Sequence, residues 1–293
     1  MTVHDPGLAR ARALLIAHRP EEALRELATL PEAAATGPTA FGLRAIAFAS
    51  LERWAESADA ARAGLSAGGP DPDLLGHLGR ALHELGDLPG AERALLDALA
   101  FAPTDAVLLC QYARLCMDSG QLPKAAELVR RAAADQPESA IVYATRVRLA
   151  YAMGKDREAQ RISQEYLAAH PEDPGAHAAL GGMSAVRGQT GPAYRQFRQA
   201  TAASPDTPGY GEAAMELRLA RHPVSWPIRP FLRYGVIKPW LAMLVVLFGL
   251  RAVGLTAIAA AVGLLWFALC VYSWIVPPLF RHFTLRRWRR TAP

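Results

Sequence analysis

Arg80, Arg114 and Arg148 stand 34 residues apart, and Arg12 falls two steps earlier on the same spacing. A guanidinium offers five N–H donors in a planar fork that matches carboxylate or phosphate oxygens two at a time. A row of them in register could hold an acidic peptide or a chain terminus. His77, Gln111 and Tyr151 lie within about one helical turn of these arginines and complete a candidate partner-binding groove. Glu84 and Asp118 lie equally near, so the same pattern also fits solvated arginines paired with their own acids. No other chemistry is legible. There is no GxxxxGK[ST], HExxH or GxSxG, and "GDLPGAE" at 86–92 has the phase of an inter-helix turn rather than of a phosphate loop. The eight histidines are scattered as surface or packing residues, and the three cysteines have neither CxxC spacing nor an even count. The expectation is therefore a non-enzyme with no catalytic residue, cofactor or metal site and with reduced thiols.

The elements that must position the arginines are set by the same period. Gly86, Gly120, Gly154 and Gly188 repeat in step, as do Ala91, Ala125, Ala159 and Ala193, and Pro103, Pro137, Pro171 and Pro205. Within each unit a first helix carries large apolar residues at helical spacing, as in Leu75, Leu78 and Leu82. A Gly then permits a turn with positive φ, and a second helix stops before the Pro. These columns resemble the tetratricopeptide repeat, with matches at Leu78-Gly79, Leu180-Gly181, Ala193, Phe197 and Pro205. The phase continues backwards through "FASLERWAESADAARAGL" at 48–65 and "AHRPEEALRELATLP" at 17–31. Six repeats are expected at about 4–37, 38–71, 72–105, 106–139, 140–173 and 174–207, the first two degenerate. A capping helix within 210–221 and a basic linker fill out 208–233. The resemblance implies an all-α, right-handed superhelical solenoid of about six helix pairs. It also implies an inner wall of first helices that binds peptide, and a scaffolding role. The Lys/Asn set of the family's carboxylate-clamp members is absent, so that ligand type is not carried over.

Charge divides the chain. Residues 1–222 hold 23 Lys+Arg against all 27 acids, whereas 223–293 hold 9 Lys+Arg and no acid. The basic pI thus belongs to the C-terminal region and does not mark a nucleic-acid-binding body. Between Pro239 and Phe280, Arg251 is the only strongly ionised residue. A span needs about 20 apolar residues. The stretch is accommodated as a transmembrane hairpin over 234–280, with helices at about 234–250 and 255–276 and with Arg251 in a turn from Gly249 to Gly254. Basic residues flank both ends: Arg218, Arg221, Arg229, Arg233 and Lys238 before, and Arg281, Arg286, Arg287, Arg289 and Arg290 after. The positive-inside rule then places both ends in the cytoplasm. Arg281, Arg286, Arg287, Trp288, Arg289 and Arg290 form a tail, 281–293, suited to anionic headgroups.

The function expected from this sequence is a membrane-tethered adaptor that gathers a protein or peptide partner, acidic in character, at the inner membrane. The repeats and tail would be cytoplasmic, and homo-oligomers could form through the membrane helices. The alternative makes the hairpin a pore-forming or membrane-disrupting element, with "GLTAIAAAVGLL" as a close-packing face and the repeats as sensor.

Overall fold

The computed structural model describes residues 5–205, 207–221, 237–258 and 260–272, and all regular structure among them is helical. The helices come in antiparallel pairs. In order they are α1 (Pro6–Ile16), α2 (Pro20–Ala28), the one-turn α3 (Glu32–Ala35), α4 (Pro38–Ser50), α5 (Trp54–Gly68), α6 (Pro72–Glu84) and α7 (Leu88–Phe101). There follow α8 (Ala106–Asp118), α9 (Leu122–Asp135), α10 (Ala140–Ala152), α11 (Asp156–Ala169), α12 (Pro174–Val186), α13 (Thr190–Ala203), α14 (Pro208–Arg221) and α15 (Ile237–Ala252).

Local chemistry explains where the helices begin and end. Asp71, Asp87 and Asp105 cap α6, α7 and α8, accepting from the backbone N–H of Leu74, Gly90 and Leu108 at 2.9, 3.0 and 2.8 Å. Proline in the first turn is preset for helical φ and lacks an N–H that would have no partner there. At the other end, Gly86 adopts φ +83°, and the Asp87 N–H reaches back to the Leu82 carbonyl at 2.9 Å, closing the first helix of the pair. The same turn recurs at Gly120, Gly154 and Gly188. It also forms in the first two pairs, where His18 and Glu52 take φ 56° and 58° without a glycine to ease it.

Two compact units result, Met1–Pro171 and Glu172–Pro293. In the first, α1, α4, α6 and α8 each pack on the first helix of the next pair. The second helices α5, α7, α9 and α11 make no comparable contact with one another. First helices therefore line the crowded inner layer, and second helices splay along the outer one. The core between the layers is built on small residues: Ala91, Ala125, Ala132 and Ala159 are wholly buried, and Leu95, Leu109, Cys110, Cys116, Val129 and Val142 fill the space between them. The helices of one pair come close enough that a Cβ on Gly79 of α6 would fall 2.6 Å from Leu95 Cγ of α7. Cys110 and Cys116 are free thiols, both buried because α8 is covered on nearly every side.

In the second unit α12 packs on α13 and α13 on α14. Beyond them α15 and a helical segment at 260–272 fold back on one another. The Trp240 and Trp266 rings meet edge to face with centroids 6.3 Å apart, and a Cβ on Gly263 would lie 3.9 Å from Leu247 Cδ2. The boundaries differ from expectation. The chain remains helical through Gly249 to Ala252 and turns at Gly254, where φ is +81°, so Arg251 sits in the last turn of α15 and not in a loop. Among the described residues no helix is long and apolar enough to cross a membrane. The 16 residues of α15 rise about 24 Å, against about 30 Å of hydrocarbon. Arg229, Arg233, Trp274, Pro277 and Pro278, and the tail residues Arg281, Arg286, Arg287, Trp288, Arg289 and Arg290, lie outside the described residues.

Candidate functional site

The arginine row lies on the inner layer of the first unit. Arg80, Arg114 and Arg148 project from α6, α8 and α10, one per pair, after Gly79, Ala113 and Val147 respectively. The three charges sense one another: Arg114 depresses the proton affinity of both Arg80 and Arg148.

Each arginine is held differently. The Arg114 side chain is the most covered of the three, and its Nη2 donates to Glu84 Oε1 at 3.1 Å. Its Nε is buried without a hydrogen-bond partner among the described residues, as is Oε1 of Gln111, one turn earlier on α8. Arg80 makes no ion pair with any described residue; its guanidinium stands 5.4 Å over the Trp54 ring at the start of α5. Solvent reaches Arg80 from the open side of the groove while neighbouring helices wall it in. Burial first, and Arg114 second, push its guanidinium below the ordinary value, with Glu84 opposing. Arg148 is likewise open on one side and free of any ion pair among the described residues. Burial and Arg114 depress it, and Asp118 and Glu84 partly offset them. Of the two acids, Glu84 is committed to Arg114, while Asp118 Oδ2 lies 2.9 Å from His83 Nε2. The row therefore has one compensated arginine flanked by two that lack a paired carboxylate.

The remaining predicted residues fall around this row. His77 is half-buried on α6, and burial lowers its proton affinity most, with Asp73 opposing and Arg80 reinforcing. With Arg12, Asp71, Asp73 and Thr39 it lines a cavity of about 230 Å³ between α1, α4 and α6. Ile46 lines the same cavity at the position between Arg12 and Arg80, so the arginine row is broken in the second pair. Tyr151 is about half exposed one turn beyond Arg148. Two contributors escaped the sequence reading. Trp54 was visible as the lone tryptophan of the first 222 residues, and His83 shares the 34-residue frame with Met117 and Tyr151, so no column flagged it. Among the described residues no group of histidine, cysteine and acidic side chains could hold a metal ion.

The geometry agrees with comparison to known proteins. The tetratricopeptide repeat family model matches residues 116–183. A tetratricopeptide repeat protein of Parabacteroides merdae superposes with TM-score 0.62 at 15% identity, over 72% of this chain and 83% of that one. The thermophilic repeat protein TTC0263 of Thermus thermophilus gives 0.57 at 17% identity, over 62% and 99%. PilW, a type IV pilus biogenesis factor, gives 0.56 at 16% identity, over 74% and 99%. No curated protein matches in sequence. Residues 116–183 thus carry tetratricopeptide repeats, and the helix pairs around them have the tetratricopeptide-repeat fold.

Proposed function

We propose that this chain is a membrane-tethered adaptor whose inner groove binds an acidic segment of a protein partner. Tetratricopeptide repeats are in general non-catalytic protein-interaction and scaffolding modules. The observation that carries the more specific reading is the uncompensated pair Arg80 and Arg148 on either side of Arg114, with the buried Nε of Arg114 and Oε1 of Gln111 unpartnered between them. Buried polar atoms without partners are costly, and a bound carboxylate or backbone amide would satisfy them.

The tether is the hairpin of the second unit. Leu241, Val245, Phe248, Leu264, Leu265 and Phe267 are all more than half exposed there, an apolar surface that water disfavours and lipid accepts. The hairpin enters the cytoplasmic face of the inner membrane with Arg251 near its tip, and the repeats and arginine-rich tail stay on the cytoplasmic side.

The test compares protein capture from cell extract by the full chain and by its Arg80→Glu/Arg114→Glu/Arg148→Glu variant. A partner held by the first and released by the second is expected, and identical capture by both would remove the groove from the reading. Flotation with phosphatidylglycerol vesicles tests the tether separately. The full chain should float, and a Phe248→Asp/Leu264→Asp variant should stay behind.

A further inference from the structure

The outer layer holds a second feature, independent of the arginine row. A shift of 34 residues maps Glu92, Leu99 and Tyr112 onto Ala126, Ala133 and Arg146. In the earlier position the groove between α7 and α9 is closed. The Tyr112 hydroxyl donates to Glu92 Oε1 at 2.7 Å and Lys124 Nζ donates to the same oxygen at 3.1 Å. Lys124 also rests 4.5 Å over the Tyr112 ring, and Leu99 packs against the core. One repeat later, between α9 and α11, the two alanines give up that volume. A cavity of about 610 Å³ opens, floored by Val129, Leu149 and Ile162 with Met153 exposed at its mouth.

The electrostatics change with the shape. Arg146 stands where Tyr112 does and makes no ion pair with any described residue; its guanidinium lies 5.6 Å over Tyr143. The other cations on the rim are engaged, Arg130 with Glu127 at 2.9 Å and Lys155 with Glu158 at 3.7 Å. Where Glu92 supplies a carboxylate to the earlier groove the later one has Ala126, and Glu158, which lines the cavity, is paired with Lys155, so that Arg146 is left without a carboxylate among the described residues. Its size falls within the range of about 300–1,000 Å³ typical of sites that bury a ligand or a few side chains. A basic occupant would be repelled by Arg146, which excludes the chain's own arginine-rich tail.

We propose that the groove between α9 and α11 is a docking site for an acidic amphipathic segment of a partner protein. Its apolar side chains fill the cavity, and one of its carboxylates sits on Arg146 as Glu92 sits beside Tyr112 in the preceding repeat. The site is on the opposite layer from Arg80, Arg114 and Arg148, so one chain can engage two segments at once.

The test titrates the full-length chain into a short fluorescein-labelled peptide of leucine and glutamate at helical spacing and follows anisotropy, with a leucine–lysine peptide as counterpart. The glutamate peptide should bind and the lysine peptide should not. Arg146→Glu, and separately Ala126→Glu with Ala133→Leu, should each weaken binding by about tenfold or more. The double change installs residues that the preceding repeat already accommodates. Should it fail to fold by circular dichroism, Arg146→Gln replaces it and should still weaken binding severalfold. Equal binding of the two peptides, or binding unchanged by filling the groove, overturns the proposal. So does self-association of the chain that the filled variant abolishes, which would make a second copy the occupant.

Discussion

The inner and outer layers of the first unit make opposite use of the same repeat. On the inner layer a residue type is kept: arginine recurs at 80, 114 and 148, and three copies of one side chain build a row that no single pair could present. On the outer layer a residue type is lost: Glu92, Leu99 and Tyr112 close one groove, and Ala126, Ala133 and Arg146 leave the next one open. A repeat protein holds its backbone nearly constant, so each surface is decided by side chains alone. Repetition gives extended surfaces, and departure from it gives local ones.

The sharpest break of this contrast comes from the core beneath the two grooves. Leu95 of α7 is 1% exposed under the closed groove, and Leu95→Ala should destabilise the full chain by about 2–5 kcal/mol in urea unfolding. Val129→Ala, at the equivalent site, borders a cavity already and removes less volume, so it should cost about half as much or less. Equal losses would mean that the open groove collapses in solution. In the same assay Ala132→Leu should cost about 1–3 kcal/mol, because Ala132 is wholly buried between layers with no room to give.

The turns provide a second contrast, between the first two pairs and the later ones. Gly120→Ala forces a side chain into φ +73° and should cost about 1–2 kcal/mol. Glu52 already bears that strain at φ 58°, so Glu52→Gly should leave stability unchanged or raise it by up to about 1 kcal/mol. A loss at both positions would show that the Glu52 side chain contributes something the turn geometry does not explain.

A third and smaller effect tests the network that closes the earlier groove. The Tyr112 hydroxyl, and then Lys124, hold the Glu92 carboxylate below its ordinary value. The folded state therefore favours the ionised form. That stability is fully present above the unfolded value of about 4.3 and is lost as pH falls through the lower folded value. Solvent reaches about two fifths of both the Glu92 and Lys124 side chains, so the contribution is screened to about 1 kcal/mol or less. Glu92→Gln should lower the unfolding free energy by that amount near pH 7, and the gap should close as pH falls below the folded value. A gap that persists in acid would assign the role of Glu92 to packing rather than charge.

Much of the architecture is legible because it repeats. The glycine column marks the positive-φ turns, and the alanine column marks residues with no exposed surface. Where a column decays, as at His18 and Glu52, the turn survives because the helices on either side enforce it; no local residue preference could have shown this. The arginine row is legible as spacing, but its chemistry is not. Whether each guanidinium is paired depends on Trp54 and Glu84 arriving from other helices, contacts made across space and not along a period. The C-terminal end of α15 lies beyond the expected start of the turn for a related reason: Gly249 permits a turn without requiring one, and its neighbours hold it helical. The outer groove was missed because a cavity is a deficit of volume, invisible in Ala126 or Ala133 alone. Only setting each against the residue one period earlier exposes it.

That deficit gives the smallest predicted change and the most discriminating one. Ala132 and Ala133 are neighbours on α9, yet the first is sealed between layers while the second lines the open groove. Ala133→Leu adds the same atoms as Ala132→Leu but places them in space that is already empty, where the preceding repeat carries Leu99. The added methyl groups leave water on the groove wall and displace no packed neighbour, so the expected shift is within about 0.5 kcal/mol of zero. A large loss at Ala133 would mean that α9 and α11 close together in solution and that no groove exists there. A near-neutral result beside a costly Ala132→Leu would establish the cavity as native space, held open by α9 and α10 at no expense to the core.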